Sequence, residues 1–178
     1  MMNNIDGIRS LSQRLLVCLW MVLILNPLFN AFIWFNTVSS DGNGEFITQL
    51  PFDAQFPLET SSIILGFLVT NITVLIVSLM LWQLVKLFRL YRSGLIFTLA
   101  NVACYKNIAN YLIIFVVAGI LDGLLLGPAM TFQNEDIDFY FDISDGDIML
   151  LVTAIIIRLI AKVMSEAKGL LEEQALTI

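Results

Sequence analysis

Ser62–Trp82 reads SIILGFLVTNITVLIVSLMLW, a continuous apolar run without a charged residue. A helix needs about 20 mainly apolar residues to cross the hydrocarbon core of a bilayer. Similar runs occupy Leu15–Phe35 and Tyr111–Met130, and a shorter, interrupted run occupies Ile148–Met164. The sequence therefore predicts four membrane-spanning helices.

The composition agrees with this prediction. Of the 178 residues, 58% are hydrophobic and 13% are charged, whereas soluble domains average about 45–50% apolar and about 25% charged residues. The excess apolar side chains do not fit inside the core of so small a domain and must face lipid. The net charge of −6 argues against direct nucleic-acid binding, because phosphate contacts need a basic surface.

The residues needed for catalysis or metal binding are scarce. The chain has no histidine, the usual general base and the commonest metal ligand. Cys18 in the first span and Cys104 in the loop after span two are not expected to form a disulfide, because neither reaches the oxidising side. The sequence contains no recognised catalytic spacing and no glycine-rich phosphate loop. We therefore predict no catalytic residue, no cofactor and no metal site.

The orientation follows from the cationic residues. All nine lie before span one, between spans two and three, or late in span four and after it. Because Lys and Arg are retained on the cytoplasmic side, both termini are expected in the cytoplasm of a bacterial cell, with the chain in the inner membrane. The nine residues are Arg9, Arg14, Lys86, Arg89, Arg92, Lys106, Arg158, Lys162 and Lys168.

The predicted fold is an all-α integral membrane protein, a four-transmembrane-helix bundle that forms a single domain over residues 1–178. A cleaved signal peptide, cut near Val38-Ser39-Ser40, is the alternative interpretation of the first apolar stretch. The expected spans are about 15–36, 62–85, 108–130 and 147–166, with outer loops 37–61 and 131–146, a cytoplasmic loop 86–107 and a cytoplasmic tail 167–178.

The outer loops are acidic and contain no Lys or Arg. Residues 137–143 alternate apolar and polar side chains, which is the period of a β-strand, and Glu45–Leu50 follows a turn-forming Asp-Gly-Asn-Gly sequence. The two segments are expected to pair as a short β-ribbon within a small acidic extracytoplasmic cap. Divalent-cation binding around Asp142–Asp147 is a weaker alternative, since the run lacks the ligand order of an EF-hand.

The segment after span two continues as a basic amphipathic helix. Its apolar side chains share one face, and its cations lie on others. Such a segment is expected to lie against anionic headgroups, which makes membrane lipids the first expected partner. Gly94 can end this helix, and Thr98 can cap the helix that leads into span three.

Polar residues within the spans need partners, because unpaired polar groups are costly in lipid. Asn26 and Asn30 are four residues apart and share a face of span one, and Asn71 lies near the middle of span two. Hydrogen bonds between helices, worth about 1 kcal/mol each, account for these residues without a substrate.

Gly119, Gly123 and Gly127 form a ridge of small residues on span three. Such a ridge is typical of a surface that another helix approaches closely. The sequence leaves open whether that helix belongs to the same chain or to a second copy in a homo-oligomer.

Asp122 and Arg158 are the candidate intramembrane charges. They could form an ion pair if spans three and four are neighbours. Otherwise Asp122 hydrates toward the outer surface and Arg158 extends its side chain toward the inner one. The sequence does not decide between these alternatives.

Arg92–Thr98, Arg-Ser-Gly-Leu-Ile-Phe-Thr, followed by Asn101-Val102, resembles the inner-loop motif of a bacterial membrane family catalogued as a domain of unknown function, family 2975. The ending Glu172–Ile178 is similar to that family's C-terminal tail. Family members often have Pro and an acid after the capping threonine, where this chain has Leu99 and Ala100. Since members are often encoded beside a small helix-turn-helix regulator, the resemblance implies a regulatory pairing. It defines no catalytic residues.

Two functions follow as expectations, and an enzyme is not among them. The first is a non-enzymatic regulatory or interaction module that works with a cytoplasmic partner such as a helix-turn-helix regulator. Glu172 and Glu173 are its candidate docking residues, and an ordinary helix end is the alternative for this tail. The second function is an oligomeric small transporter or channel for an ion or small solute, with Asp122 as the coupling acid.

Overall fold

The computed structural model of the protein describes residues 2–39, 59–96, 98–131, 137–141 and 143–176. These residues form four α-helices and contain no strand: α1 Met2–Ser39, α2 Thr60–Arg92, α3 Leu99–Thr131 and α4 Asp145–Leu176. Each helix is long and apolar enough to cross a membrane. The chain is therefore a multi-pass membrane protein, and the prediction of an all-helical protein with four apolar membrane helices is confirmed.

The helices are longer than the predicted spans. At a rise of about 1.5 Å per residue, the 33 residues of α2 cover about 50 Å, whereas the hydrocarbon core is about 30 Å thick. The difference has a physical reason. The length of an apolar run determines which residues span the membrane, but a helix continues until it reaches a residue that ends it. For this reason α2 includes the basic segment after span two.

The helix backbones pack in chain order. α2 lies between α1 and α3, and α3 lies between α2 and α4. In the described part of the chain, no other pair of helices brings its backbones together. The four-helix bundle is therefore an open row, in which α1 and α4 are the two ends.

Two apolar clusters lie toward opposite ends of the bundle along the helix axes. The larger cluster joins α2, α3 and α4 through Leu87, Cys104, Ile108, Leu112 and Ala154. The smaller one joins the end of α1 to the end of α3 through the buried side chains of Trp34 and Met130.

The turn between α2 and α3 has well-formed hydrogen bonds. The Leu95 amide donates to the Leu90 carbonyl oxygen over 3.0 Å, and the Gly94 amide donates to that of Tyr91 over 2.9 Å. This pair of bonds is a Schellman motif, and Gly94 has the positive φ of 79° that the motif requires. Thr98 then caps α3, since its hydroxyl oxygen accepts a hydrogen bond from the backbone amide of Asn101 over 3.4 Å.

The loop before α4 is irregular where it is described, over residues 137–141 and 143–144. Its proposed strand partner, residues 45–50, lies outside the described residues, so the β-ribbon and the acidic cap stay predictions. Ser144 and Asp147 form a capping box. The Ser144 amide donates to the Asp147 carboxylate over 2.8 Å, and the Asp147 amide donates to the Ser144 hydroxyl over 3.3 Å. Asp142, the first residue of the candidate cation site, is also outside the described residues.

Candidate functional site

One end of the bundle along the helix axes, which we call the basic end, consists of the start of α1, the end of α2, the start of α3 and the end of α4. Antiparallel packing of neighbouring helices brings the cationic residues together there. Trp20 of α1 packs edge-on against Trp82 of α2, with 5.7 Å between ring centroids. The Arg89 guanidinium lies 5.6 Å from the Trp20 centroid and 5.5 Å from that of Trp82. Cation–π contacts therefore join α1 to α2. Because Trp residues favour the membrane–water interface, these contacts are expected near that surface.

Asn101 stabilises the turn between α2 and α3 at the basic end. Its side chain is fully buried, and its amide nitrogen donates to the Leu95 carbonyl oxygen over 2.8 Å and also to that of Ile96. The Tyr91 and Tyr105 hydroxyls are hydrogen-bonded at 2.6 Å, which joins α2 to α3 beside the turn. The sequence motif thus builds a tightly held connection between two helices.

A groove of about 490 Å³ opens between α2 and α3 beside this turn. Lys86 and Arg89 supply positive charge, and Ser93 and Asn107 supply hydrogen-bonding groups. Gln83, which also lines the groove, is 7% exposed. The α2–α3 groove can bind an acidic or amide-bearing group.

A second cavity, the α3–α4 cleft, has a volume of about 600 Å³. Its lining residues are Lys106, Asn110, Arg158, Lys162, Ser165 and Glu166. Arg158 therefore faces the start of α3, and the cleft contains two other cations and one carboxylate.

Asp122 lies elsewhere, in a cavity of about 70 Å³ between α2 and α3 that Thr73 also lines. Within the described residues, Asp122 Oδ1 and Thr73 Oγ1 are both buried and have no hydrogen-bond partner. No ion pair joins Asp122 to Arg158 among these residues. The two side chains line separate cavities, because Asp122 faces α2 while Arg158 lies where α3 begins.

A family model described as "Protein of unknown function (DUF2975)" matches residues 15–178. The chain belongs to the DUF2975 family. This match covers most of α1 and the whole of the three other helices, and it confirms the resemblance carried by Arg92–Thr98 and by the tail. No curated protein and no solved structure matches this DUF2975 chain.

The glycine ridge of the DUF2975 chain packs against a loop, whereas the sequence analysis expects a helix at this surface. A Cβ atom on Gly127 would overlap the Asp138 carbonyl oxygen. A Cβ atom on Gly123 would lie 3.0 Å from the Tyr140 carbonyl oxygen. Gly119 differs, since no described atom outside its own helix lies within 4 Å of its Cβ position. The small residues therefore let the chain that follows α3 fold back along the helix.

Thr131 holds this returning loop. Its buried hydroxyl donates to the Gly127 carbonyl oxygen over 2.9 Å and accepts the Asp138 amide at 3.0 Å. The sequence analysis missed this residue. Its position at the end of an apolar run was the only available signal, and that position does not reveal a contact with the loop.

The three membrane asparagines of the DUF2975 chain have different surroundings. Asn26 donates to the Val74 carbonyl oxygen and to the Ser78 hydroxyl, both over 3.2 Å, and so joins α1 to α2. Asn71 donates to the Phe67 carbonyl oxygen within its own helix over 2.7 Å. The Asn30 amide nitrogen is buried and has no partner among the described residues.

Trp34 and Gly66 form a contact between α1 and α2 that the sequence analysis also missed. The Trp34 ring lies so close to Gly66 that a Cβ atom there would overlap it. The Trp34 indole nitrogen donates to the Thr70 hydroxyl over 2.8 Å. A glycine one turn before a threonine was the available signal, but it named no partner.

The remaining candidates can be placed only in outline. Glu172 and Glu173 lie on α4, and their side chains are outside the described ones. Both cysteines of the DUF2975 chain are free thiols, with Cys18 exposed and Cys104 buried.

Proposed function

We propose that this DUF2975 protein is a non-enzymatic module of the bacterial inner membrane that binds a cytoplasmic regulator at its basic end. Both termini and the turn between α2 and α3 then lie in the cytoplasm. The partner that we propose is a small helix-turn-helix protein, because such regulators are often encoded beside members of the family.

The α2–α3 groove is the observation that supports this proposal. It is next to a turn held by a Schellman motif and by the buried side chain of Asn101, so its lining is already in place before a partner binds. A preformed surface loses little conformational freedom on binding. Lys86 and Arg89 suit an acidic segment of the partner.

The end of α4 is the second part of the proposed interface. From Arg158 to Leu176 the helix covers about 27 Å, at a rise of about 1.5 Å per residue. Its last turns therefore extend beyond the expected span, which ends at about residue 166. Glu172 and Glu173 on these turns suit a basic patch on a DNA-binding protein.

Co-purification with the helix-turn-helix protein encoded nearest to the gene tests the proposal. We expect Lys86→Glu to reduce capture by about tenfold, because reversing an interfacial charge costs more than about 1 kcal/mol. Arg14→Glu is the control, since Arg14 is an exposed cation on α1 at the same end.

The tail is tested in the same assay. Removal of residues 170–178, or charge reversal by Glu172→Lys with Glu173→Lys, should also reduce capture, whereas Asp6→Lys on α1 should not. Unchanged capture by both the groove variant and the tail variants would exclude docking at the basic end.

A transporter or channel is the second candidate, and the Asp122 cavity supports it. An acid and a hydroxyl with unpaired buried atoms face a space that can hold water. Such groups in membrane helices often mark proton or ion pathways. Ion flux in proteoliposomes that is lost in Asp122→Asn and retained in Asp138→Asn would favour this function, which requires assembly of several copies.

A further inference from the structure

The α3–α4 cleft has an excess of positive charge. Lys106 contributes from α3, and Arg158 and Lys162 contribute from α4. Among the described residues that line it, Glu166 is the single carboxylate. Clefts lined by charge of one sign concentrate ions of the other sign.

The cations of this cleft differ from those of the α2–α3 groove in their surroundings. Lys86 and Arg89 lie over the Trp82 ring, which offsets part of their charge. Within the described part of the chain, Lys106, Arg158 and Lys162 make no ion pair and no aromatic contact. Three neighbouring cations repel one another, so an anion bound among them stabilises the arrangement.

The depth of the cleft indicates where the anion comes from. Arg158 and Lys162 are one helical turn apart, and two of the apolar side chains next to them are exposed, with Leu159 61% and Val163 57% exposed. In a membrane helix these side chains face acyl chains. Lys106 lies before the expected span 108–130, and Arg158 lies within the expected span 147–166. The cleft between them is therefore expected at the boundary between headgroups and acyl chains, which is the position of a lipid phosphate.

We propose that the α3–α4 cleft binds the headgroup of an anionic phospholipid, preferentially one with two phosphates, as in cardiolipin. Three cations against one carboxylate leave two positive charges, which match two phosphates. Asn110 and Ser165 add hydrogen-bond donors. Basic pockets between membrane helices near the cytoplasmic surface are suited to such headgroups. This site does not depend on the proposed regulator, since its ligand is already in the membrane.

Native mass spectrometry of the purified full chain tests the proposal. The double variant Arg158→Gln with Lys162→Gln is compared with Arg14→Gln, which removes an exposed cation at the same end but outside the cleft. We expect retention of added cardiolipin to fall about fivefold for each cation removed from the cleft, corresponding to about 1 kcal/mol. The Arg14→Gln variant should bind like the wild type. Equal retention by the double variant and the wild type would overturn the proposal.

A second measurement needs no variant. The wild-type protein should bind cardiolipin at least about fivefold more tightly than phosphatidylcholine and should be stabilised by it against heat. Inorganic phosphate should give no such stabilisation. Equal binding of the two lipids would overturn the proposal, as would stabilisation by inorganic phosphate to the same extent, which would indicate a site for a free anion. If the double variant does not fold, Lys106→Gln on α3 is the variant to compare.

Discussion

Asn101 links the family motif to the stability of the basic end. We expect Asn101→Leu to lower the free energy of unfolding by about 1–3 kcal/mol, because the carbonyl oxygens of Leu95 and Ile96 lose their donor. For a chain of this length, each kcal/mol lowers the melting temperature by about 2–4 °C. Asn107→Leu is the control, since Asn107 is exposed on the same helix. Thermal unfolding of the purified protein measures the difference, and equal melting temperatures would show that Asn101 does not hold the turn.

Gly127 and Gly119 differ in what surrounds them, although the sequence presents them as equivalent members of one ridge. We expect Gly127→Ala to destabilise the protein by about 1–3 kcal/mol, because the new methyl group overlaps the Asp138 carbonyl oxygen. Gly119→Ala should be neutral or stabilising by up to about 1 kcal/mol, since alanine favours the helix and the described surroundings leave space for it. Limited proteolysis should cut the loop after α3 faster in Gly127→Ala alone. Similar cleavage in both variants would mean that the loop does not depend on the glycine.

At the scale of whole elements, α1 depends on few contacts, because its backbone lies next to α2 only. Trp34 is central among these contacts, since it packs on Gly66 and donates to Thr70. We expect Trp34→Ala to raise the rate of amide hydrogen exchange in α1 while leaving α4 unchanged, because local opening does not require unfolding of the rest. Phe35→Ala is the matched control, as Phe35 is 71% exposed. Faster exchange in α4 as well would show that the row opens as one unit.

The existence of the four helices could be predicted from the sequence, but their packing faces could not. Soluble helices reveal the buried face by apolar periodicity. In lipid, buried and lipid-facing positions are both apolar, as with Ala154, which is fully buried, and Ile155, which is 67% exposed. For the same reason the sequence could not show that Asp122 faces α2 while Arg158 faces the start of α3. Stop signals were easier to recognise, because Gly94 and Thr98 act through local backbone geometry.

At the scale of the whole molecule, the two ends of the bundle along the helix axes differ in charge and in structure. The basic end has the larger apolar cluster, the fastened turn and both cavities lined by cations. The opposite end has the capping box of α4 and the loop that returns along α3. Since Lys and Arg are retained in the cytoplasm, this asymmetry predicts which compartment each end faces.

Cysteine labelling in a variant without native cysteines, Cys18→Ser with Cys104→Ala, tests the orientation. Ala100→Cys places an exposed thiol at the basic end, and Ile143→Cys places one at the opposite end, since Ala100 is exposed and Ile143 is 52% exposed. In sealed right-side-out vesicles, a membrane-impermeant maleimide should label Ile143→Cys at once and Ala100→Cys only after the membrane is permeabilised. Both sites should react equally in detergent, which controls for differences in thiol accessibility.

The opposite pattern would place the α2–α3 groove outside the cytoplasm and exclude a cytoplasmic regulator. Labelling of both sites in sealed vesicles would mean that α3, the helix between the two sites, does not span the membrane.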